Sequence, residues 1–116
     1  MPQLPEVDSI LDSLKSTASK IVKTDITNIR GFSERQVRML AQHARWIAEA
    51  EAKGEFAKDP KLRDWFLTGL EDMTKSFVMT LRGLLRVTIE KLWNALVDAL
   101  WKVIDTAAGF KLPRPV

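Results

Sequence analysis

His43 is the one histidine of the chain and the first side chain to consider for acid–base chemistry. A histidine titrates near neutral pH, but as a catalyst it needs a hydrogen-bonding neighbour that orients its ring. The residues at helical spacing from His43 are Met39, Leu40, Trp46 and Ile47, and all four are apolar. The sequence therefore predicts that His43 is not catalytic.

The carboxylates make no better case for a metal or catalytic site. With one histidine the chain has no two-histidine motif, and without cysteine it has neither a disulfide nor a thiolate ligand. The acidic residues near His43 and farther along lack the glutamate–histidine spacing that carboxylate metal sites in helical bundles use. These residues are Glu49, Glu51, Glu55, Glu71 and Asp72. No nucleophile elbow or glycine-rich phosphate loop occurs either, so we expect no enzyme activity, cofactor or metal.

Basic residues are the remaining candidates for ligand binding. Arg82, Arg86 and Glu90 stand four apart, which predicts a solvated helix face with a local Arg86–Glu90 pair in preference to an anion site. Eighteen basic and fifteen acidic residues give a net charge of only +3. This balance, together with the lack of a short second helix after a tight turn, argues against nucleic acid as a partner.

The elements that position these residues are predicted to be helices, which makes the chain all-α. Hydrophobic residues at 46% and charged residues at 28% are ordinary for a folded chain, and we expect a single helical domain over residues 1–116. Apolar residues recur at spacings of three and four over residues 5–23, which predicts the first helix. Ser33 and Gln36 form a capping-box pattern that begins a second helix over residues 33–53.

A third, very long C-terminal helix is predicted over residues 60–108. Asp59 and Pro60 supply a cap and a first-turn proline, and only Gly69 and Gly83 interrupt the pattern before Gly109. A continuous helix of this length would extend about 70 Å, which exceeds a compact globule. We favour the continuous helix, and a four-helix arrangement broken near Gly83 is the alternative. Residues 110–116 are expected to form an extended tail, because two prolines disfavour helix there.

Two apolar seams run side by side along the later part of this helix. Their combined width exceeds the stripe of about 100° expected of a surface helix, so the helix should contact at least two neighbours. We predict that these side chains, with an outward-facing Trp46, form an oligomer or partner interface, and their burial in the chain's own core remains the open alternative. The predicted interface residues are Leu85, Ile89, Leu92, Trp93, Leu96, Val97, Leu100, Trp101, Val103, Ile104 and Trp46. Trp65 and Phe66, at the head of the same helix, are expected in the core.

Regularly placed tryptophans in alanine-rich helices give the chain a recognisable texture. It is carried by the segments GFSERQV (31–37), LAQ (40–42), LEDM (70–73) and LWNA (92–95). This texture resembles that of small helical proteins of bacteriophage virions and tails, including tape-measure-like segments. The resemblance implies a structural virion component without catalytic residues.

The leading hypothesis is a non-enzymatic structural or assembly protein that packs in a homo-oligomer or a larger complex, such as a phage virion or tail. A membrane-interacting amphipathic protein is the alternative, and a small regulatory or nucleic-acid-binding module is the third hypothesis. The first residues lack the basic and apolar regions of a secretory signal, and charges interrupt the most apolar stretch. We therefore expect neither a signal peptide nor a conventional transmembrane helix, and an intracellular or virion location.

Overall fold

The structure, a computed structural model, describes residues 4–115 and contains four α-helices with one short 3-10 helix. The α-helices are α1 (Val7–Val22), α2 (Glu34–Ala52), α3 (Pro60–Thr80) and α4 (Arg86–Ala108), and the 3-10 helix (Ile26–Asn28) follows α1. The described residues contain no strand. The all-α prediction is confirmed.

Side-chain caps start α2 and α3 where the sequence predicts them. The Ser33 hydroxyl accepts a hydrogen bond from the Gln36 amide at 3.3 Å, and the Asp59 carboxylate accepts one from the Leu62 amide at 3.2 Å. The Gln36 side chain does not return to Ser33, however, because its oxygen accepts a hydrogen bond from the Thr80 hydroxyl at 3.3 Å. Of the two hydrogen bonds of a capping box, only the one accepted by Ser33 forms, and the Gln36 side chain connects α2 to α3 instead.

The prediction of one continuous helix over residues 60–108 is wrong, and the alternative of a break near Gly83 is correct. The chain leaves the helix at Leu81, and Gly83 adopts a left-handed conformation with φ of 82°. The described chain has a radius of gyration of 14.1 Å and a longest extent of 44 Å, so a helix of about 70 Å would not fit inside it. Folding α4 back against α2 removes its apolar side chains from water within one chain, whereas a single extended helix would need another chain to bury them.

The helices α2 and α4 form the centre of the fold and pack against each other, with α1 and α3 each packed against both. The α2 alanines Ala41, Ala44 and Ala48 are fully buried. Small side chains at these positions let the neighbouring helix approach closely. The core built around them contains side chains from all four helices.

The loop between α1 and α2 contains the 3-10 helix and reaches the junction between α3 and α4. Ile26 is completely buried, and the Arg82 amide donates a hydrogen bond to the Arg30 carbonyl at 2.8 Å. Gly31 has φ of 89°, and a Cβ atom there would lie 1.9 Å from the Thr80 carbonyl oxygen. The position therefore requires glycine both for its conformation and for its contact with the end of α3.

The C-terminal segment, predicted to be extended over residues 110–116, contains neither helix nor strand over its described part, and Val116 lies outside the described residues. Leu112 is buried, and its amide donates to the Asp105 carboxylate of α4 at 2.8 Å. Arg114 pairs with the same carboxylate at 2.7 Å. We call these contacts the tail latch, since they hold the segment against α4.

Candidate protein-interaction site

The structure places the eleven predicted interface residues in two different environments. Six of them lie in the chain's own core, at most 2% exposed, where in this fold they contact neighbouring helices and cannot reach a partner. These six are Leu92, Leu96, Val97, Leu100, Trp101 and Ile104. The other five keep accessible surface: Leu85 (73% exposed), Trp46 (52% exposed) and the half-buried Ile89, Trp93 and Val103. The interface itself stays a prediction, and these five residues are the ones that could still serve it.

A groove between α3 and α4 contains two of these five residues. Ile89 and Trp93 stand one turn apart on α4, and the C-terminal half of α3, from Glu71 to Met79, supplies the opposite wall. The cavity has a volume of about 470 Å³. Its apolar lining is Val78, Met79, Ile89 and Trp93, and its polar rim is Glu71, Lys75, Glu90 and Asn94. We call this feature the α3–α4 groove.

Exposed apolar side chains surround the turn that joins the two walls of the groove. Leu85, Met79 and Val87 are each more than half exposed. Residues 81–85 turn the chain back, so Leu85 lies one turn before Ile89 at the start of α4. Scattered apolar residues are normal on a protein surface, but three large ones beside an apolar groove are typical of a contact site.

The charges on the rim of the groove are available to a partner. Lys75 and Glu71 form no ion pair within residues 4–115. Glu90 pairs with Arg86 at 3.2 Å, as the sequence predicts, but both side chains are exposed and such pairs contribute little. The α3 wall therefore offers the free cation of Lys75 and, one turn before it, the free carboxylate of Glu71, and the α4 wall offers the accessible carboxylate of Glu90.

Val103 lies instead in a groove between α1 and α4, with a volume of about 500 Å³. This groove is lined largely by small side chains, including Ser13 and Thr17 of α1 and Ala95 and Ala99 of α4. None of the large apolar side chains that are most exposed in the described chain lies in this groove. It is therefore a weaker candidate than the α3–α4 groove.

Trp46 projects from α2, as predicted, and it packs against His43. The two ring centroids are 5.1 Å apart, and His43 Nδ1 lies 3.3 Å from the Met39 carbonyl oxygen. Within the described chain no carboxylate orients the imidazole. The contacts of His43 are thus an aromatic ring and a backbone carbonyl, and neither can relay a proton.

The prediction that Trp65 and Phe66 lie in the core is wrong. Trp65 is 70% exposed and Phe66 is 37% exposed. The buried face of α3 is set by Leu70, Thr74 and Phe77, and Trp65 lies about 140° from Leu70 around the helix. The helical spacing from Leu70 and Phe77 was the signal that could have placed Trp65 on the outer side.

Among residues 4–115, no three histidine, aspartate or glutamate side chains lie close enough together to bind a metal ion. Within the same residues, every helix is too short or too polar to cross a bilayer. No protein-family model, curated protein or solved structure matches this chain.

Proposed function

We propose that this chain is a non-enzymatic assembly protein that binds a second copy of itself through the α3–α4 groove. The observation that supports this proposal is the exposure of Leu85, Met79 and Val87 beside a groove lined by Ile89 and Trp93. Burial of such side chains is the main favourable contribution to protein association. A partner that covers the groove would remove them from water.

The charges on the rim favour a second copy as that partner. Most homodimers have a two-fold axis, so each contact occurs twice with the roles of the subunits exchanged. With the axis parallel to the helices, α3 of one copy faces α4 of the other, and the four helices form a bundle. Lys75 and Glu90 occupy opposite walls of the groove, so Lys75 of each copy would then face Glu90 of the other.

The setting that we propose for this assembly is a phage virion or tail, on the resemblance of the sequence texture alone. A structural subunit in such a particle needs self-complementary contacts and no catalytic groups. The peripheral charges would set the register of the subunits, and the apolar groove would supply most of the binding energy.

A charge exchange tests the arrangement directly. The solution mass of the wild-type chain, measured by size exclusion with light scattering over a range of concentrations, should be that of a defined oligomer with or without mild detergent. Lys75→Glu and Glu90→Lys should each weaken association, because each places like charges opposite one another. The double variant should restore association, because the two charges are then exchanged on both copies.

The control is Lys20→Glu, which makes the same charge change on α1, away from the groove, and should leave the mass unaltered. Leu85→Asp should dissociate the oligomer while the chain remains helical by circular dichroism. A wild-type monomer at high concentration, or an oligomer indifferent to Leu85→Asp, would contradict the proposal.

A further inference from the structure

A second apolar surface lies at the start of α3, formed by Leu62, Trp65, Phe66 and Phe110, and we call it the aromatic tip. All four side chains are among the large apolar residues most exposed in the described chain. The Trp65 and Phe66 rings meet edge to face with centroids 5.2 Å apart. Phe66 also contacts the buried Phe56 ring at 5.6 Å. The exposed aromatic surface is therefore anchored to the core.

The aromatic tip is held in place by charged contacts beneath it. Arg63 makes a two-point ion pair with Glu51 at the end of α2, the longer hydrogen bond being 3.2 Å. The guanidinium of Arg63 lies 5.3 Å from the centre of the Phe110 ring. A cation over an aromatic face is attracted to it, so Arg63 connects the start of α3 to the C-terminal segment. The tip is thus formed before any ligand binds.

The charges around the aromatic tip are mainly basic. Lys58, Lys61 and Lys111 are exposed and form no ion pair within residues 4–115. The charge of Arg63 is balanced by Glu51. The surrounding surface therefore carries three free lysine cations.

The carboxylates near the tip are fewer than these lysines. Asp59 accepts the Leu62 amide as a helix cap, and Asp64 lies about 200° from Leu62 around α3, where it lines a cleft beneath the C-terminal segment. Asp72 is on the Trp65 side of α3 but about 10 Å farther along the helix. Asp59 and Glu55 are therefore the two exposed carboxylates beside the tip. An anionic surface that meets the end of the molecule would therefore face more lysines than carboxylates.

We propose that the aromatic tip binds the surface of a bilayer that contains anionic phospholipid. Tryptophan and phenylalanine insert readily at the headgroup level of a bilayer, and lysines beside them are attracted to lipid phosphates. Trp65 would insert deepest, since it is the most exposed of the four side chains, and Lys58, Lys61 and Lys111 would lie at the phosphates. The tip shares no residue with the α3–α4 groove, so this proposal does not depend on self-association.

Co-sedimentation of the full chain with vesicles tests the proposal. The chain should bind vesicles that contain phosphatidylglycerol, and added salt should weaken the binding. Trp65→Ala should lower the partition coefficient about tenfold or more, because a large apolar side chain is lost from the contact. Replacing the three lysines with glutamine should lower it by about fivefold per lysine. Pure phosphatidylcholine vesicles should bind weakly.

Trp46→Ala is the matched control, because Trp46 is also an exposed tryptophan on a helix but stands outside the tip. It should leave vesicle binding unaltered. No binding to anionic vesicles, or an equal loss from Trp46→Ala, would overturn the proposal. A chain that ignores vesicles but loses solution mass on Trp65→Ala would also overturn it, since the tip would then contact protein.

Discussion

The two helices α3 and α4 are similar in length, with 21 and 23 residues, but they are buried very differently. In α4 six side chains are buried, all of them large and apolar, and α4 packs against all three other helices. In α3 four are buried, one of which is the hydroxyl-bearing Thr74. Trp65 and Met79 of α3 face outward, which places exposed apolar surface at both ends of that helix. The comparison indicates that α4 stabilises the fold and that α3 presents surface.

The largest expected effect comes from truncating a side chain of α4. Leu100 is completely buried, so Leu100→Ala should lower the free energy of unfolding by about 2–5 kcal/mol. The same change at Leu62 of α3, which is partly exposed, should cost less than about 1 kcal/mol. Urea denaturation followed by circular dichroism measures both. Equal losses would break the distinction between the two helices.

The next effect concerns the junction that separates the two helices. Gly31→Ala should cost more than about 2 kcal/mol, because it combines a strained positive φ with a collision against the Thr80 carbonyl. Gly83→Ala is the control, since Gly83 has φ of 82° but no atom within 4 Å of the added Cβ. It should cost only the backbone strain, about 1–2 kcal/mol. Thermal unfolding of both variants measures the difference, and a Gly31 variant no worse than the Gly83 variant would show that the loop contact does not fix the end of α3.

The smallest effect concerns the tail latch, which closes over α4. Burial by itself would raise the pKa of Asp105, but hydrogen bonds from Arg114 and the Leu112 amide outweigh it and hold this pKa below its usual value. The stability from this ionised carboxylate is therefore complete above the unfolded pKa of about 3.9 and is lost as the pH falls through the lower folded value. Asp105→Asn should cost about 1–2 kcal/mol at neutral pH.

Below the folded pKa of Asp105 the same substitution should cost much less, because the wild-type carboxyl is then also neutral. The control is Asp98→Asn, since Asp98 is mostly exposed and lies 3.5 Å from Arg114. It should change stability little at any pH. Denaturant unfolding at a series of pH values measures the free energy of unfolding of wild type and Asp105→Asn. If the difference between the two stays constant from neutral pH to pH 2, the assigned role of this carboxylate is contradicted.

Local signals in the sequence predicted the helix starts well. Ser33 and Asp59 cap α2 and α3 because each side-chain oxygen bonds an amide only three residues away, and such short-range chemistry is visible in the sequence. The break at residues 81–85 was predicted only as the alternative to a continuous helix, because a glycine within an apolar pattern is compatible with a helix or with a turn. The contact between Arg30 and Arg82 that accompanies the break joins residues distant in sequence, and no local pattern reports it.

The same limit applies to the candidate site. The spacing of Ile89 and Trp93 identified one wall of the α3–α4 groove, but the other wall required knowledge that α3 folds back beside α4. Leu92 and Leu96 carry the same apolar signal as Ile89 and Trp93, and packing alone decides which pair is fully buried. Periodicity can therefore show that a helix is apolar on several sides without showing which side is left for a partner.

The different burial of the four tryptophans has a spectroscopic consequence. The chain contains no tyrosine, so its ultraviolet fluorescence comes essentially from tryptophan. Trp101 lies in an apolar interior and should emit at short wavelength. Trp46 and Trp65 are more than half exposed, so they should emit farther to the red and be open to a soluble quencher. Substituting phenylalanine for Trp46 and Trp65 would leave only the emission of Trp101 and the half-buried Trp93. Both lie on α4, so the fluorescence of this variant would report on the environment of α4 without an added label.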